Sequence, residues 1–362
     1  MKTCLRGGYR LTRGDVEKAL SDWLAGESGR RNGWRVAHEF GTRDALVDEI
    51  CAELDTRSLR FRPIHRYEHR EPTNGKLRTI GVESVKQQVC DYLAVNALRP
   101  LLDARVGFWQ VAGVRGKGQR MCRTALRKWS RGCRWHVKAD VRKCYPSITP
   151  SVVMRIIERH VGSADVLHLC SVLLATYDGG IEIGSYFSLC MANLVLSEVY
   201  HHIEGLGRRR RGRWLPYARH QIWHMDDFIL IGASKRDLKA AMRSVERFMS
   251  DELGLSLKGW KVARTGSVER LDLGGYQAWD GHTVLRDGIF LRGTRSFARF
   301  GARPSIGRAR RCVSYWGWFR NADLKRCVRR RRIRQTERRA ARLVSRHDKE
   351  ARNGASQKLG RD

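Results

Sequence analysis

The sequence predicts an α+β fold in which helices flank an antiparallel sheet. Three observations support that class. His224-Met225-Asp226-Asp227-Phe228 is preceded by Ile222-Trp223 and followed by the apolar run Ile229-Leu230-Ile231, the pattern of a β-hairpin with an Asp-Asp tip. Upstream, Trp135 to Asp140 is an apolar-leaning strand that ends on an acid. Around these lie stretches of helical period, with Val89, Leu93, Ala97 and Leu101 on one face and an amphipathic pattern from Leu238 to Glu252.

In chain order, residues 1–60 carry helix-like patterns at Val16 to Leu24 and Ala45 to Leu54, separated by Gly-rich breaks. Phe61 to Ile80 reads as extended strands joined at Glu71-Pro72-Thr73-Asn74-Gly75. Val85 to Leu102 reads as one helix. Arg115-Gly116-Lys117-Gly118 is a basic glycine loop without the full phosphate-loop pattern, either a solvated turn or a backbone contact to RNA, and a helix follows from about Met121 to Ser130. Beyond Asp140, Pro150 and Ser151 signal a helix running to His160. Cys190 to Glu204 is another helix. Arg208 to Arg213 is a basic run in a loop or hairpin, facing solvent or nucleic acid.

Of 362 residues, 71 are Lys or Arg and 37 are Asp or Glu, a formal net charge of +34. The length admits one large or two modest domains with real cores. Charge on this scale implies a polyanionic partner, because neutralising phosphates dominates nucleic-acid affinity. A ribosomal or nucleoid-like structural protein would share the charge, but 42% hydrophobic residues and 11 Trp suit a packed enzyme. Lys325 to Asp362 is a separate basic block, with 15 Lys and Arg against 4 Asp and Glu. It has few large apolar residues and is expected to form a helix on RNA or to stay disordered. Ten Cys include no Cys-x-x-Cys pair, so zinc-ribbon spacing is absent. His220 and His224 are four apart, but near a strand turn, which makes a poor zinc pair. Without a signal segment or a long apolar run, the expectation is a cytoplasmic chain with reduced thiols and no membrane association.

Adjacent carboxylates repel and are poor turn and strand formers unless something binds them. A divalent cation is the natural binder, and Asp140 supplies a third acid at a strand end. Mg²⁺ prefers a few carboxylates plus phosphate oxygens and water. Two such ions would lower the pKa of an attacking 3′-hydroxyl and stabilise a leaving pyrophosphate. Asp140, Asp226 and Asp227 suit that chemistry. Lys76 and Arg78 stand two apart on a strand, hence on one face, where they either hold phosphates or charge a surface.

From about Phe61 to Asn321 these motifs form an ordered series that resembles the reverse transcriptases. Asp140 with Tyr145 five residues on, and the Met225-Asp226-Asp227 tip, match two motifs of that family's palm. Gly75-Lys76-Leu77-Arg78-Thr79-Ile80 resembles its fingers strand, and Gly180 to Asn193 its templating-base motif. Leu253 to Lys261 resembles the motif carrying a Lys near pyrophosphate, and Leu271-Asp272-Leu273-Gly274-Gly275-Tyr276 the primer-grip hairpin. The aliphatic form Ile183-Gly184-x-x-x-Ser188 and the segment Ser314 to Ala322 resemble the reverse transcriptases of diversity-generating retroelements. Leu189 stands where those enzymes usually have Gln, Glu182 where Pro is usual, and His224 where Tyr is usual.

The resemblance implies a right-hand polymerase with fingers, an antiparallel palm sheet and a helical thumb. It divides the chain into an N-terminal extension of the fingers (1–60), fingers (61–135), palm with interleaved fingers elements (136–282), thumb (283–324) and basic tail (325–362). Asp140, Asp226 and Asp227 would be catalytic and, with the Val141 carbonyl, would hold two Mg²⁺ ions, with Mn²⁺ as a substitute. Lys261 would protonate pyrophosphate, with Lys258 as its rival. Lys76 and Arg78 would bind the triphosphate, Tyr145 would gate the sugar, and Ile183, Gly184 and Ser188 would line the nucleotide site. The implied partners are template RNA, the RNA/DNA hybrid, dNTPs and a small basic accessory protein forming a pentamer. The implied source is a bacterium or phage. Two rivals stay open: a phage-defence or other bacterial reverse transcriptase, and a non-enzymatic RNA-binding protein with an inactive polymerase fold.

Overall fold

The computed structural model describes residues 4, 5, 8–71 and 75–359. The chain opens with helices α1 (Arg13–Ala25), α2 (Glu27–Asn32), α3 (Trp34–Phe40) and α4 (Arg43–Asp55). Thr12 caps α1 in a reciprocal box with Asp15, and Thr42 caps α4 through the Ala45 N–H. The glycine-rich stretch expected as a break is thus itself helical. Gly29 permits this, since a Cβ there would lie 2.1 Å from the Trp23 carbonyl oxygen. Next come β1 (His65–Arg70) and β2 (Leu77–Val82), an antiparallel pair in register from Arg70↔Leu77 to His65↔Val82. Of the turn expected between them, Pro72, Thr73 and Asn74 lie outside the described residues.

The single helix expected over Val85 to Leu102 is two, α5 (Val85–Ala97) and α6 (Arg99–Arg105), with the break at Leu98. Pro100 sits in the first turn of α6, where its missing N–H costs nothing, and bars a continuous helix. Then follow α7 (Gln119–Ser130), β3 (Trp135–Asp140), the single turn α8 (Cys144–Ser147), α9 (Pro150–His160), α10 (Ala164–Ala175) and α11 (Tyr186–Glu204). Helix α11 starts four residues earlier than its apolar pattern suggested, because Ser185 caps it through the Ser188 N–H. Two hairpins follow, β4 (Gly207–Arg210) with β5 (Arg213–Pro216), and β6 (His220–His224) with β7 (Asp227–Gly232). The rest is α12 (Lys235–Leu253), β8 (Lys261–Arg264), β9 (Leu271–Leu273), β10 (Tyr276–Trp279), β11 (His282–Leu285), α13 (Asp287–Ala302), α14 (Ile306–Phe319), α15 (Lys325–Arg330) and α16 (Ile333–Leu359). The chain is therefore mixed α and β. Its four-stranded sheet runs in the order β6-β7-β3-β8.

The chain divides into two compact units. The first comprises residues 1–116, 139–228 and 239–260. Its core forms around α5 and α11, which are buried on nearly every side, as a helix walled in by other elements must be. Trp23, Leu93 and Phe187 fill it, and the Trp23 indole N–H is satisfied by Gln88 Oε1 at 3.0 Å. The second unit comprises residues 117–138, 229–238 and 261–362. Here α7 lies on the sheet β11-β10-β9, and α13, α14 and α16 pack together around Phe297, Phe300, Phe319, Ile333 and Ala340. The basic tail is thus helical against α14, because Ile333 and Ala340 give α16 a narrow apolar stripe. Among the described residues no disulfide forms, and no helix is long and apolar enough to cross a membrane.

Within the first unit, Trp223 and Phe228 flank the β6–β7 tip. Both are fully buried, and their rings stack at 4.0 Å between centroids and 14° between planes. Phe228→Ala removes that stack and leaves a cavity at the root of the hairpin. It should cost about 3–5 kcal/mol in urea or thermal unfolding. A loss below about 1 kcal/mol would show that the stack does not hold the hairpin.

Candidate active site

The site begins where β3 ends. After Asp140 the chain turns sharply, and Lys143 takes a left-handed conformation (φ +44°) before the turn α8. Three backbone hydrogen bonds fix the corner. Val141 N–H donates to the Asp226 carbonyl at 3.1 Å, Lys258 N–H to the Asp140 carbonyl at 2.8 Å, and Arg142 N–H to the Ser256 carbonyl at 2.8 Å. Asp140 is thereby held between the β6–β7 tip and residues 256–258. The tip is a two-residue turn, Met225-Asp226, with Met225 at φ +57°. A non-glycine residue in that region is disfavoured and persists only where its surroundings enforce it. Here the Trp223–Phe228 stack and the bond to Val141 do so.

This arrangement brings Asp140 and Asp226 together. Burial first, and then the Asp140 charge, push the Asp226 carboxyl above the ordinary aspartate range, while Lys258 and Arg78 pull the other way. Asp140 Oδ1 is buried and has no hydrogen bond of good geometry, but the Lys258 ammonium is pressed against it as an ion pair. Of the two rival lysines, Lys258 therefore stands at the carboxylates. Lys261 is 82% exposed on β8, 3.5 Å from Glu269. Asp227 is half-buried as the first residue of β7. Among the described residues no three His, Cys, Asp or Glu side chains form a group that could hold a metal ion, so the acids at the corner come as a pair. That pair still fits a cation, since two half-buried carboxylates repel each other and the Lys258 ammonium is pressed against Asp140 alone.

Of the other expected site residues, Arg78 and Tyr145 stand close enough to the corner for their charges to act on each other and on Asp226. Arg78 lies on β2, ion-paired with Glu71, and its charge is felt by both Asp226 and Tyr145. Lys76 is exposed just before β2. Tyr145 is half-buried on α8, and burial raises its phenol further above the usual range. The Val141 side chain is fully buried. Gly184 has φ +118°, and a Cβ there would lie 2.4 Å from the Gly81 carbonyl oxygen, so only glycine lets this loop meet β2 backbone to backbone. Gly81 N–H donates to the Ile183 carbonyl at 2.8 Å. Ser188 is buried, and its Oγ accepts the Glu182 N–H at 3.0 Å, so it braces the loop from within.

Sequence reasoning missed what holds this loop. Glu182, noted only as a departure from Pro, is buried and ion-paired with Arg66 of β1 at 2.8 Å. Asp91 of α5 is fully buried, and its Oδ2 accepts the Ser185 hydroxyl at 2.7 Å and the Phe187 N–H at 3.0 Å. Glu83 shares the pocket. Burial, and then the Asp91 charge, raise its carboxyl far above the ordinary glutamate range. Burial raises the Asp91 carboxyl as well, but the Phe187 N–H and the Ser185 hydroxyl favour its charged form, so the larger upward shift falls on Glu83. Asp91 Oδ1 has no other donor, and a proton on Glu83 supplies one. The available signal was an acid inside the apolar run Val89, Cys90, Leu93, Ala94.

No family model matches the chain. The putative COX1/OXI3 intron 1 protein of Saccharomyces cerevisiae is 22% identical over 179 residues, covering 45% of this chain and 21% of that protein. Among solved structures, apo telomerase from Candida tropicalis, truncated from its C-terminal domain, is similar with a TM-score of 0.42 and 14% identity, over 62% of this chain and 54% of that one. The chain thus spans about a fifth of the length of the first protein and about half of the second.

The Glu83–Asp91 pair gives a pH-dependent stability. The folded protein keeps a proton on Glu83 that the unfolded chain releases above its ordinary pKa of 4.5, so this contribution falls as pH rises from there. The limit is about 1.4 kcal/mol per pH unit. Glu83→Gln supplies the donor without titrating. Its stability relative to the parent should improve between pH 6 and pH 9, as read by urea unfolding at both. Parallel pH profiles for the two proteins would show that Glu83 holds no extra proton.

Proposed function

We propose that the chain is a reverse transcriptase that copies RNA into DNA, and that it belongs with the error-prone enzymes of diversity-generating retroelements. The observation that carries this reading is the Val141–Asp226 backbone bond, which brings Asp140 and Asp226 to one corner beside Arg78 and Lys258. The net charge of +34 supports a nucleic-acid substrate.

In this reading Asp140 and Asp226, with Asp227 beside them, hold Mg²⁺, or Mn²⁺ in its place. The chemistry such a metal would supply there is to lower the pKa of the primer 3′-hydroxyl and to offset charge on the leaving pyrophosphate. Arg78, released from Glu71, holds the triphosphate together with Lys76. Lys258 replaces Lys261 as the ammonium that delivers a proton to pyrophosphate, since it already reaches Asp140. The Tyr145 ring bars a 2′-hydroxyl and so selects dNTPs. The Ile183–Gly184 backbone, fixed to Gly81, forms the floor under the nucleotide and the template base. A small basic pentameric partner is part of the same proposal.

Asp226→Ala and Asp140→Ala each remove a cation ligand without touching the basic surfaces. Primer extension on an RNA template with dNTPs and Mg²⁺ should fall by more than about 100-fold, beyond the 10–100-fold typical of losing an outer partner of a metal ligand. RNA binding should survive. Variants as active as the parent would remove the polymerase reading.

The subfamily has its own test. Ile183 cannot hydrogen-bond, so mispair rejection leans on shape, and ~1.4 kcal/mol changes discrimination tenfold. Sequenced cDNA should carry frequent errors opposite template adenine, fewer in Ile183→Gln. Low, even error rates at all four bases would sink the retroelement assignment and leave the polymerase standing.

A further inference from the structure

Between α11 and β6 the chain makes an excursion that the carboxylate corner does not use. Strands β4 and β5 form a sheet of their own, paired from Gly207↔Pro216 to Arg210↔Arg213. Tyr217 N–H closes its base on the Leu206 carbonyl at 3.0 Å. The connection is Arg211-Gly212, with φ of +50° and +74°, the left-handed pair that a tight two-residue hairpin requires. Its first position favours Asn, Asp or Gly. An Arg there keeps a cation at the tip against the backbone preference.

The charge of this element has no internal balance. From Gly205 to Arg219 the sequence holds six Arg and no acid. Arg209, Arg210, Arg211 and Arg213 are exposed and make no ion pair among the described residues. Crowded guanidinium groups repel, and a polyanion relieves them best. In their midst Trp214 is 53% exposed. A Cβ on Gly207 would lie 2.6 Å from its Cζ2, so the indole rests across bare backbone where any other residue would push it off. The register sets Trp214 opposite Arg209 on the same face of the hairpin. A large ring laid over a strand and open to solvent, with Arg209 on its own face of the hairpin and Arg210 and Arg213 on the other, is a stacking platform for an unpaired base.

We propose that the β4–β5 hairpin docks single-stranded RNA, with phosphates on Arg209, Arg210, Arg211 and Arg213 and a base stacked on Trp214. Strand β6 runs from the foot of the hairpin to Asp226, roughly 15–20 Å at 3.3 Å per residue, so the RNA held here lies outside the copied position. The choice of RNA rests on the polymerase reading, which requires an RNA strand beyond the copied stretch. The surface itself does not depend on it. A duplex would satisfy the Arg side chains but offer Trp214 no free base face.

The test measures fluorescence anisotropy of a labelled, unstructured RNA against the full chain over a series of salt concentrations. Carrying Asp226→Ala throughout keeps binding separate from catalysis, so failure of the hairpin and failure of the polymerase reading are told apart. Replacing Arg209, Arg210 and Arg213 by Ser should lower the slope of log Kd against log salt by about 2, at ~0.7 per phosphate contact on a single strand. Trp214→Ala should weaken RNA binding about tenfold at unchanged slope, while Trp214→Phe keeps most of the affinity and duplex binding is unmoved by either. Unchanged slope and affinity in the Arg variant would overturn the proposal. So would equal losses in Trp214→Ala and Trp214→Phe, or a Trp214→Ala loss as large on duplex as on single strand. DNA of the same sequence binding as tightly would overturn the choice of RNA.

Discussion

One backbone hydrogen bond organises the site: Val141 N–H to the Asp226 carbonyl, at 3.1 Å. Side chains could not do this work, because the two acids repel. The main chain brings them together instead, from the end of β3 on one side and the β6–β7 tip on the other. The Lys258 N–H on the Asp140 carbonyl closes the arrangement from a third segment. The resulting electrostatic cost is held locally, by the raised affinity of Asp226 for a proton and by the Lys258 and Arg78 charges. Two carboxylates assembled this way are held together at the expense of fold stability.

A second tier of buried polar groups keeps the neighbouring loop in place. Arg66 to Glu182, Gly81 to Ile183, Ser188 to Glu182 and Asp91 to Ser185 and Phe187 run between β1, β2, α5 and α11. In a low-dielectric interior such bonds strengthen one another, and losing one member strands the rest. Glu182 stiffens the loop through its side chain, by the ion pair that ties it to Arg66 of the adjacent hairpin.

The strands that carry Asp140 and Asp226 were legible because their signals are local: apolar runs of strand length ending on acids. Helices α9 and α12 were legible for the same reason, with a start signal or a clear period. The split at Leu98 was missed although Pro100 was in view, because the apolar face from Val89 to Leu101 continues across the break. The tail was expected to be helical on RNA or disordered. Its packing on α14 was not legible, because Ile333 and Ala340 are too few to make a pattern until α14 supplies the opposing surface. Of the Glu83–Asp91 pair, only Asp91 left a trace in the sequence, as an acid inside an apolar run. The pair's chemistry depends on two acids eight residues apart being sealed in one pocket, and no sequence spacing announces desolvation.

The choice between Lys258 and Lys261 illustrates the same boundary. Spacing alone left both open, three residues apart in one basic segment. Pairing of Val141 with Leu257 puts the next residue, Lys258, beside Asp140, where its N–H takes the Asp140 carbonyl and its ammonium folds onto the carboxylate. Lys261 belongs to β8, directly opposite Lys138 in the ladder. Two like charges in register repel across a strand pair, and Lys261 turns instead toward Glu269. Register, rather than residue type, thus decides which ammonium serves the acids.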